Sequence, residues 1–203
     1  AKMDKERKAI DKKIKKMISD AIVAENKKRK VEQQAAAKKN GVTTPVKTTP
    51  VSSTKIELTP EGKLASDSFK ANKGRLPWPT EKGFISIAYG DTPHPEHKNV
   101  MLHNSGIEIT TDAGSSARAV FNGEVSSIQV SPSTNTYTVV VRHGDFFTSY
   151  SYLSGVSVSI GNKVTAKQTL GKIKTNTKGN SVLKFIISQN LTFVNPKSWI
   201  APR

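Results

Sequence analysis

Residues 181–188, SVLKFIIS, carry the clearest strand pattern in the chain. In an extended strand, successive side chains point to opposite faces. The residues that would share a core-facing side are Leu183, Phe185 and Ile187. The residues that would share the opposite side are Val182, Lys184 and Ile186. The pattern predicts a strand with one fully apolar face and one face on which a lysine stands between two aliphatic groups.

Other short β-rich runs surround this strand and are separated by turn signals. They lie at 84–89, 106–110, 137–142, 146–153 and 168–173. The pair Asn122–Gly123 is a strong signal for a tight hairpin between Ala119–Val120 and Val125. Because no helical period intervenes, we expect a mainly β domain over residues 74–203, built as an antiparallel β-sandwich or barrel-like sheet.

The first third of the chain has a different pattern, which predicts a helix over residues 3–36. Apolar residues recur there at steps of four, three, four and three, which is a heptad seam. The seam consists of Ile10, Ile14, Met17, Ala21 and Ala24, widened by Ile18 and Ile22. We therefore expect residues 1–39 to be the C-terminal end of a longer coiled coil, or one arm of a helical hairpin.

Two segments join this helix to the β domain. Residues 40–58 are rich in threonine, and Pro45 and Pro50 favour an extended linker. Residues 59–73 predict a short helix, because Thr59 can cap it and Pro60 suits its first position. Gly74 supplies a left-handed residue at the helix end.

Composition limits the function classes. The 203 residues contain 32 Lys and Arg against 16 Asp and Glu, a formal charge of +16. Residues 1–40 carry much of this charge without interleaved aromatics, so we expect a solvated helix face and no nucleic-acid partner. No apolar run is long enough to span a membrane. The chain has no cysteine, which excludes disulfides and thiolate chemistry.

The β domain resembles the LytM (lysostaphin-type, peptidase family M23-like) domain, and particularly the domain of EnvC-like murein hydrolase activators. The resemblance rests on a series of segments in the family's order. They are Gly74–Pro79, Gly106–Ile109, Ala119–Val125, His143–Gly144 with Tyr150–Leu153, the hairpin Val156–Gly171, and Asn195–Pro196 with Trp199.

The resemblance places this chain's residues at the family's zinc-binding and catalytic positions. Those residues are Asn104, Glu108, Tyr152, Val182 and Lys184. Only Glu108 could still bind a metal, and the Lys184 ammonium would repel one, so we expect the two to pair across the groove. We expect no metal, no cofactor and no catalytic residue. A one-residue slip would be needed to bring in His103.

The remaining histidines have ordinary interpretations. His94 and His97 lie in a proline-bounded loop, where a histidine pair is usually solvated. His143 corresponds to a family position that is not a metal ligand, so a structural role is expected.

The resemblance implies a regulator instead of an enzyme. It would bind and activate a zinc-dependent peptidoglycan amidase (an N-acetylmuramoyl-L-alanine amidase) in the periplasm or cell envelope, during division or daughter-cell separation. The coiled coil would bind a membrane division complex. The export signal would be absent from this fragment. The groove expected to receive an amidase helix is lined by Asn104, Glu108, Tyr152, Val182, Lys184 and Ile186.

Further readings stay open at this point. The helix at 59–73, through Leu64 and Phe69, is a candidate to block the groove until released. A peptidoglycan-binding module or an envelope scaffold is the alternative function, and an active zinc endopeptidase is the least favoured.

Overall fold

The computed structural model describes residues 2–39, 54–93 and 101–203. Helix α1 covers Lys2–Lys39 and helix α2 covers Pro60–Ala71, and a short 3-10 helix lies at Pro196–Ser198. The strands are β1 (Phe84–Ile87), β2 (Gly90–Pro93), β3 (Met101–Asn104), β4 (Ile107–Asp112), β5 (Ser116–Arg118), β6 (Gly123–Ser131), β7 (Thr136–His143), β8 (Phe146–Val156), β9 (Lys163–Val164), β10 (Thr169–Ile173), β11 (Asn180–Gln189) and β12 (Thr192–Val194).

Ten of these strands form one sheet in which neighbouring strands run antiparallel. Its main path is β1-β4-β11-β8-β7-β6-β9; β10 pairs with β5 and β8, and β12 pairs with β11. Strands β2 and β3 form a separate two-stranded sheet. The mainly β, antiparallel fold class predicted from the sequence is confirmed.

Strand β11 lies near the middle of the sheet and divides the molecule into two apolar clusters. Leu183, Phe185 and Ile187 are fully buried in the main core. Ile186 belongs to a second cluster on the other face, and Lys184 is fully buried beside it. The alternation read from SVLKFIIS is therefore confirmed, including the lysine on the second face.

Helix α1 supplies most of that second cluster. No proline or glycine interrupts Lys2–Lys39, and lysine, alanine and glutamate favour the helix. Its predicted seam packs onto the sheet and not onto a second helix of the described chain, so the coiled-coil expectation gains no support. A sheet face offers a wider apolar surface than a marginal two-heptad seam, which explains this choice. The seam residues buried there are Ile10, Ile14, Met17, Ile18 and Ile22.

Helix α2 packs against the opposite side of the sheet from α1. The Thr59 hydroxyl accepts a hydrogen bond from the Gly62 amide (3.0 Å), so the predicted cap is present. Phe69 is fully buried in the main core. At the β7–β8 turn, Gly144 has φ +74°, and a Cβ there would lie 2.4 Å from the Gly62 carbonyl oxygen. Glycine at this turn lets α2 approach closely.

One local prediction is wrong: Asn122–Gly123 does not close a hairpin. Strand β5, which precedes this pair, is bound to β10, whereas β6, which follows it, pairs with β7 and β9. The Asn122 side chain instead accepts a hydrogen bond from the Ala166 amide (2.9 Å). Long-range pairing of the flanking strands has overridden the local turn signal.

Candidate binding groove

The floor of the candidate groove is formed by β4, β11 and β8. Glu108 on β4 lies directly opposite Lys184 on β11, and Lys184 lies opposite Ser151 on β8. Glu108 is only 5% exposed and Lys184 is fully buried. The fold therefore brings Glu108 and Lys184 together on one face of the sheet.

The partners of these two charges come from α1 and not from each other. The Arg7 guanidinium donates to both carboxylate oxygens of Glu108, from Nε at 2.6 Å and from Nη2 at 3.1 Å. The Lys184 ammonium lies 2.8 Å from an Asp11 carboxylate oxygen. The expected Glu108–Lys184 ion pair is thus wrong. Two side chains one turn apart on α1 separate the two charges and neutralise each one.

Beyond the ion pairs, α1 fills the groove with aliphatic side chains. Ile14, Ile18 and Ile22 are almost completely buried against the sheet, where Val140, Phe147 and Ile186 form the opposing surface. Burying one such side chain contributes about 1.5–3 kcal/mol. The ion pairs and the aliphatic contacts both hold α1 on this face of the sheet.

The C-terminal part of the contact is closed by a hydrogen-bonded clamp. The Asn26 side chain donates to the Lys55 carbonyl (3.1 Å) and accepts from the Glu57 amide (2.8 Å). Between these two residues, Ile56 is buried in the same cluster as α1. The predicted linker 40–58 is therefore docked at its end; residues 40–53 of that prediction lie outside the described chain.

Tyr152 and Val182 line the part of the groove that α1 leaves open. With Glu6, Thr136 and Lys174 they border a cleft of about 370 Å³. Tyr152 has φ +71°, an uncommon conformation for a residue with a bulky side chain. Burial, and then the negative charge of Glu108, raise the pKa of the Tyr152 phenol, so the hydroxyl stays protonated.

Asn104 ends β3 and is fully buried. Its side-chain amide donates to the carbonyl of Ala88 (3.2 Å), which lies in the segment between β1 and β2. Its neighbour His103 points elsewhere: its ring pairs with Asp91 (2.8 Å) on an exposed surface. The slip that would bring His103 into the site is absent.

The side chains at these positions do not fit the zinc ion that the LytM fold implies. Glu108 has both oxygens engaged by Arg7, and the Lys184 ammonium occupies a position where a cation would be repelled. Across residues 2–39, 54–93 and 101–203, no three His, Cys, Asp or Glu side chains are grouped so as to hold a metal. His94 and His97 lie outside the described residues.

His143 has the structural environment expected of it. Its Nδ1 donates to the Asn122 carbonyl (2.7 Å), and its Nε2 accepts from the Thr148 hydroxyl (2.9 Å), which fixes the neutral tautomer. The ring stacks on Phe69 at 4.8 Å. Burial lowers the pKa of His143 to about 4.

The helix over 59–73 does not occupy the groove, so the sequence-based candidate for groove blocking is corrected. Phe69 is buried in an aromatic cluster with His143, Phe146 and Trp199, at centroid distances of 4.8, 5.0 and 5.2 Å. Leu64 is 67% exposed on the same helix. The helix that covers the groove is α1.

Sequence reasoning missed Arg7 and Asp11 as site residues, although a signal was present. They precede Ile14, Ile18 and Ile22 at steps of four, three, four and four, so all five share one helix face. Charged residues at i and i+4 on the apolar face of an amphipathic helix predict oppositely charged partners on the surface that this face covers.

The fold resembles that of a LytM-type domain, and Glu108 and Lys184 form an ion-pair network with Arg7 and Asp11 on one face of its sheet. Residues 102–196 match the model of Peptidase family M23, which confirms the resemblance read from the sequence. No curated protein sequence matches the chain significantly. In the described ranges, neither helix combines the length and apolarity that crossing a membrane requires.

Solved structures show the same fold. Helicobacter pylori Csd3 aligns with a TM-score of 0.52 at 21% identity, over 64% of this chain and 36% of Csd3. A chain of the SpoIIQ–SpoIIIAH pore-forming complex aligns with a TM-score of 0.51 at 24% identity, over 64% and 92%. A zinc-containing peptidase from Vibrio cholerae gives 0.52 at 18%, over 64% and 41%. The matched part thus spans about a third of Csd3.

Proposed function

We propose that this protein is a non-catalytic cell-wall regulator that binds and activates a zinc-dependent peptidoglycan amidase during division or daughter-cell separation. The observation that carries the proposal is the helix in the groove. At the positions where the LytM family binds zinc, Glu108 and Lys184 are held by Arg7 and Asp11 of α1. A groove that accommodates an amphipathic helix along an apolar floor is suited to binding another such helix.

The chemistry of these side chains supports a non-catalytic role. A peptidase zinc requires three protein ligands and an open position for the attacking water. Lys184 is a buried cation and Val182 is aliphatic, so neither can be a ligand. Asn104 and Tyr152 replace histidines of the family pattern. The groove thereby keeps its shape and loses the means to activate water.

Regulation follows from the position of α1. An amidase helix and α1 would compete for the same apolar floor, so the groove is available only when α1 detaches. A membrane division complex that binds the exposed, basic side of α1 would shift this equilibrium by its preference for the detached state. We propose that the protein acts in the periplasm or cell envelope, where such partners and peptidoglycan occur.

A protein of the same fold is known in a protein complex: SpoIIQ was solved bound to SpoIIIAH. Its similarity to this chain extends to the fold only. It supports the narrower point that a LytM-type domain can serve protein binding.

Peptidoglycan binding is the second candidate, and the open cleft favours it. Thr134, Thr136, Lys174 and Asn176 give that cleft a polar wall next to Tyr152. A peptide stem could contact this wall while α1 remains bound. Sedimentation with purified sacculi would detect such binding in the absence of any amidase. A scaffold would show neither binding to sacculi nor stimulation of the amidase.

The test is dye release from labelled peptidoglycan by the amidase, with and without this chain. We expect strong stimulation by the chain in which Ile14→Asp and Ile18→Asp displace α1, weaker stimulation by the native chain, and no release by either chain alone. Val182→Glu and Tyr152→Ala, at the open part of the groove, should reduce stimulation, whereas Leu64→Glu on the exposed side of α2 should not. Release by the chain alone, or equal stimulation by all variants, contradicts the proposal.

A further inference from the structure

The two ion pairs under α1 have a fixed order along the helix. Arg7 contacts Glu108, and Asp11, one turn later, contacts Lys184. Their countercharges lie directly opposite each other on neighbouring strands, β4 and β11. Residues four apart on a helix lie on the same face, so a helix in this orientation presents a cation and then an anion to the pair.

We propose that Glu108 and Lys184 make the groove selective for helices with one charge order: a basic residue, an acidic residue one turn later, and then a stripe of branched aliphatic residues. α1 is the intramolecular example, with the spacing Arg7-x3-Asp11-x2-Ile14-x3-Ile18-x3-Ile22. The inference rests on the proposed function insofar as the external occupant is a helix of a partner protein. Glu108 and Lys184 are then specificity-determining residues.

The selectivity arises from burial. Lys184 is fully buried and Glu108 nearly so when a helix is seated. A buried charge without its partner is strongly destabilising, whereas the same charge in solvent is not. A helix with neutral or reversed residues at these two positions would bury both charges uncompensated. The groove therefore rejects it, even when its aliphatic stripe matches.

The aliphatic stripe alone cannot give this discrimination. Val140, Phe147 and Ile186 present a surface that many amphipathic helices could cover. Sliding such a helix by one turn would keep much of its apolar contact. The charges prevent this, because a one-turn shift would move Asp11 towards Glu108 and leave Lys184 without an anion.

The experiment uses the full chain with α1 displaced by Ile14→Asp and Ile18→Asp, two fully buried seam positions. The probe is a fluorescent peptide of residues 5–26, and its matched control carries Arg7→Asp and Asp11→Arg, with the same composition and apolar stripe. Fluorescence anisotropy gives both dissociation constants. The same pair is then measured on a chain that also carries Glu108→Lys and Lys184→Glu.

We expect the native peptide to bind the native groove at least tenfold more tightly than the reversed peptide, and the preference to invert on the swapped groove. Equal affinities, or one peptide preferred on both grooves, would overturn the inference. If the swapped chain does not fold, peptides with Arg7→Met or Asp11→Leu on the native groove decide the question. Each should bind at least tenfold more weakly than the native peptide, and unchanged affinity would overturn the inference.

The peptide-binding measurement uses no amidase, so its outcome can be separated from that of the proposed function. Charge-order selectivity without amidase stimulation would support the proposed selectivity of the groove and refute the amidase as its partner. Amidase stimulation without charge-order selectivity would support the amidase as partner and refute the proposed selectivity of the groove.

Discussion

The replacement Arg7→Met tests how strongly α1 is held in the groove. Arg7 is 2% exposed and bonds both oxygens of the buried Glu108 carboxylate. Methionine keeps much of the apolar stem and removes the guanidinium. Leaving one partner of a buried pair uncompensated costs about 3–5 kcal/mol. If the docking free energy of α1 is smaller than this cost, α1 will detach. The loss of stability is then limited to that docking free energy.

Amide hydrogen exchange across residues 8–26 measures this loss. At about 1.4 kcal/mol per factor of ten, protection in α1 should fall by between roughly 100-fold and a few thousand-fold. Protection in β7 and β8 should change far less, because these strands remain in the sheet. The matched control, Arg7→Met with Glu108→Met, removes both charges and should recover most of the protection. Unchanged protection in Arg7→Met, or no recovery in the double variant, would show that the Arg7–Glu108 pair does not hold α1 in the groove.

Three further predictions concern the buried His143, the packing of α2, and the hydrogen-bonded clamp at Asn26. His143 has its pKa lowered to about 4 from an unfolded value near 6.5, so the unfolded state takes up more protons between these values. The free energy of unfolding should therefore fall by about 3 kcal/mol from pH 6.5 to pH 4, and His143→Gln should flatten this dependence in denaturant titrations at each pH. Phe69→Ala should lower the unfolding free energy by about 3–5 kcal/mol, while Leu64→Ala, on the exposed side of the same helix, should change it by less than about 0.5 kcal/mol; equal effects would place α2 outside the core. Asn26→Ala removes two hydrogen bonds of the clamp and should lower α1 protection by roughly 30-fold, at about 1 kcal/mol per bond and about 1.4 kcal/mol per factor of ten, without a shift in the main unfolding transition.

The β domain could be predicted from sequence because its signals are local and have a period of two. In β11, Leu183, Phe185 and Ile187 alternate with Lys184 and Ile186, and this alone separates the two faces. Asn122–Gly123 shows the limit of local reasoning. The turn signal is strong, yet β6 finds its partners in β7 and β9, which no short window of sequence could show.

The site was predicted only in part, for a related reason. Family positions identified Glu108 and Lys184 as groove residues, and the sheet does bring them together. Their partners Arg7 and Asp11 lie about a hundred residues or more earlier in the chain. A heptad seam shows that a helix has an apolar face and not what that face will cover, so a coiled coil and a docked helix predict the same pattern.

The same ambiguity affected the two helices. Both α1 and α2 carry apolar residues at helical spacing, and either could fill a groove. The close approach permitted by Gly144 seats α2 on the β7–β8 turn, with Phe69 in the main core. That leaves the face with the buried charges to α1.

Competition between α1 and the amidase for the groove can be measured as the affinity of the amidase for the full chain, compared with the chain carrying Ile14→Asp and Ile18→Asp. If α1 occupies the site where the amidase binds, displacing α1 should tighten binding at least tenfold and raise dye release in parallel. Leu64→Asp, which adds one negative charge on the exposed side of α2, should leave the affinity unchanged. Equal or weaker binding by the displaced chain would show that the amidase does not use the groove that α1 covers.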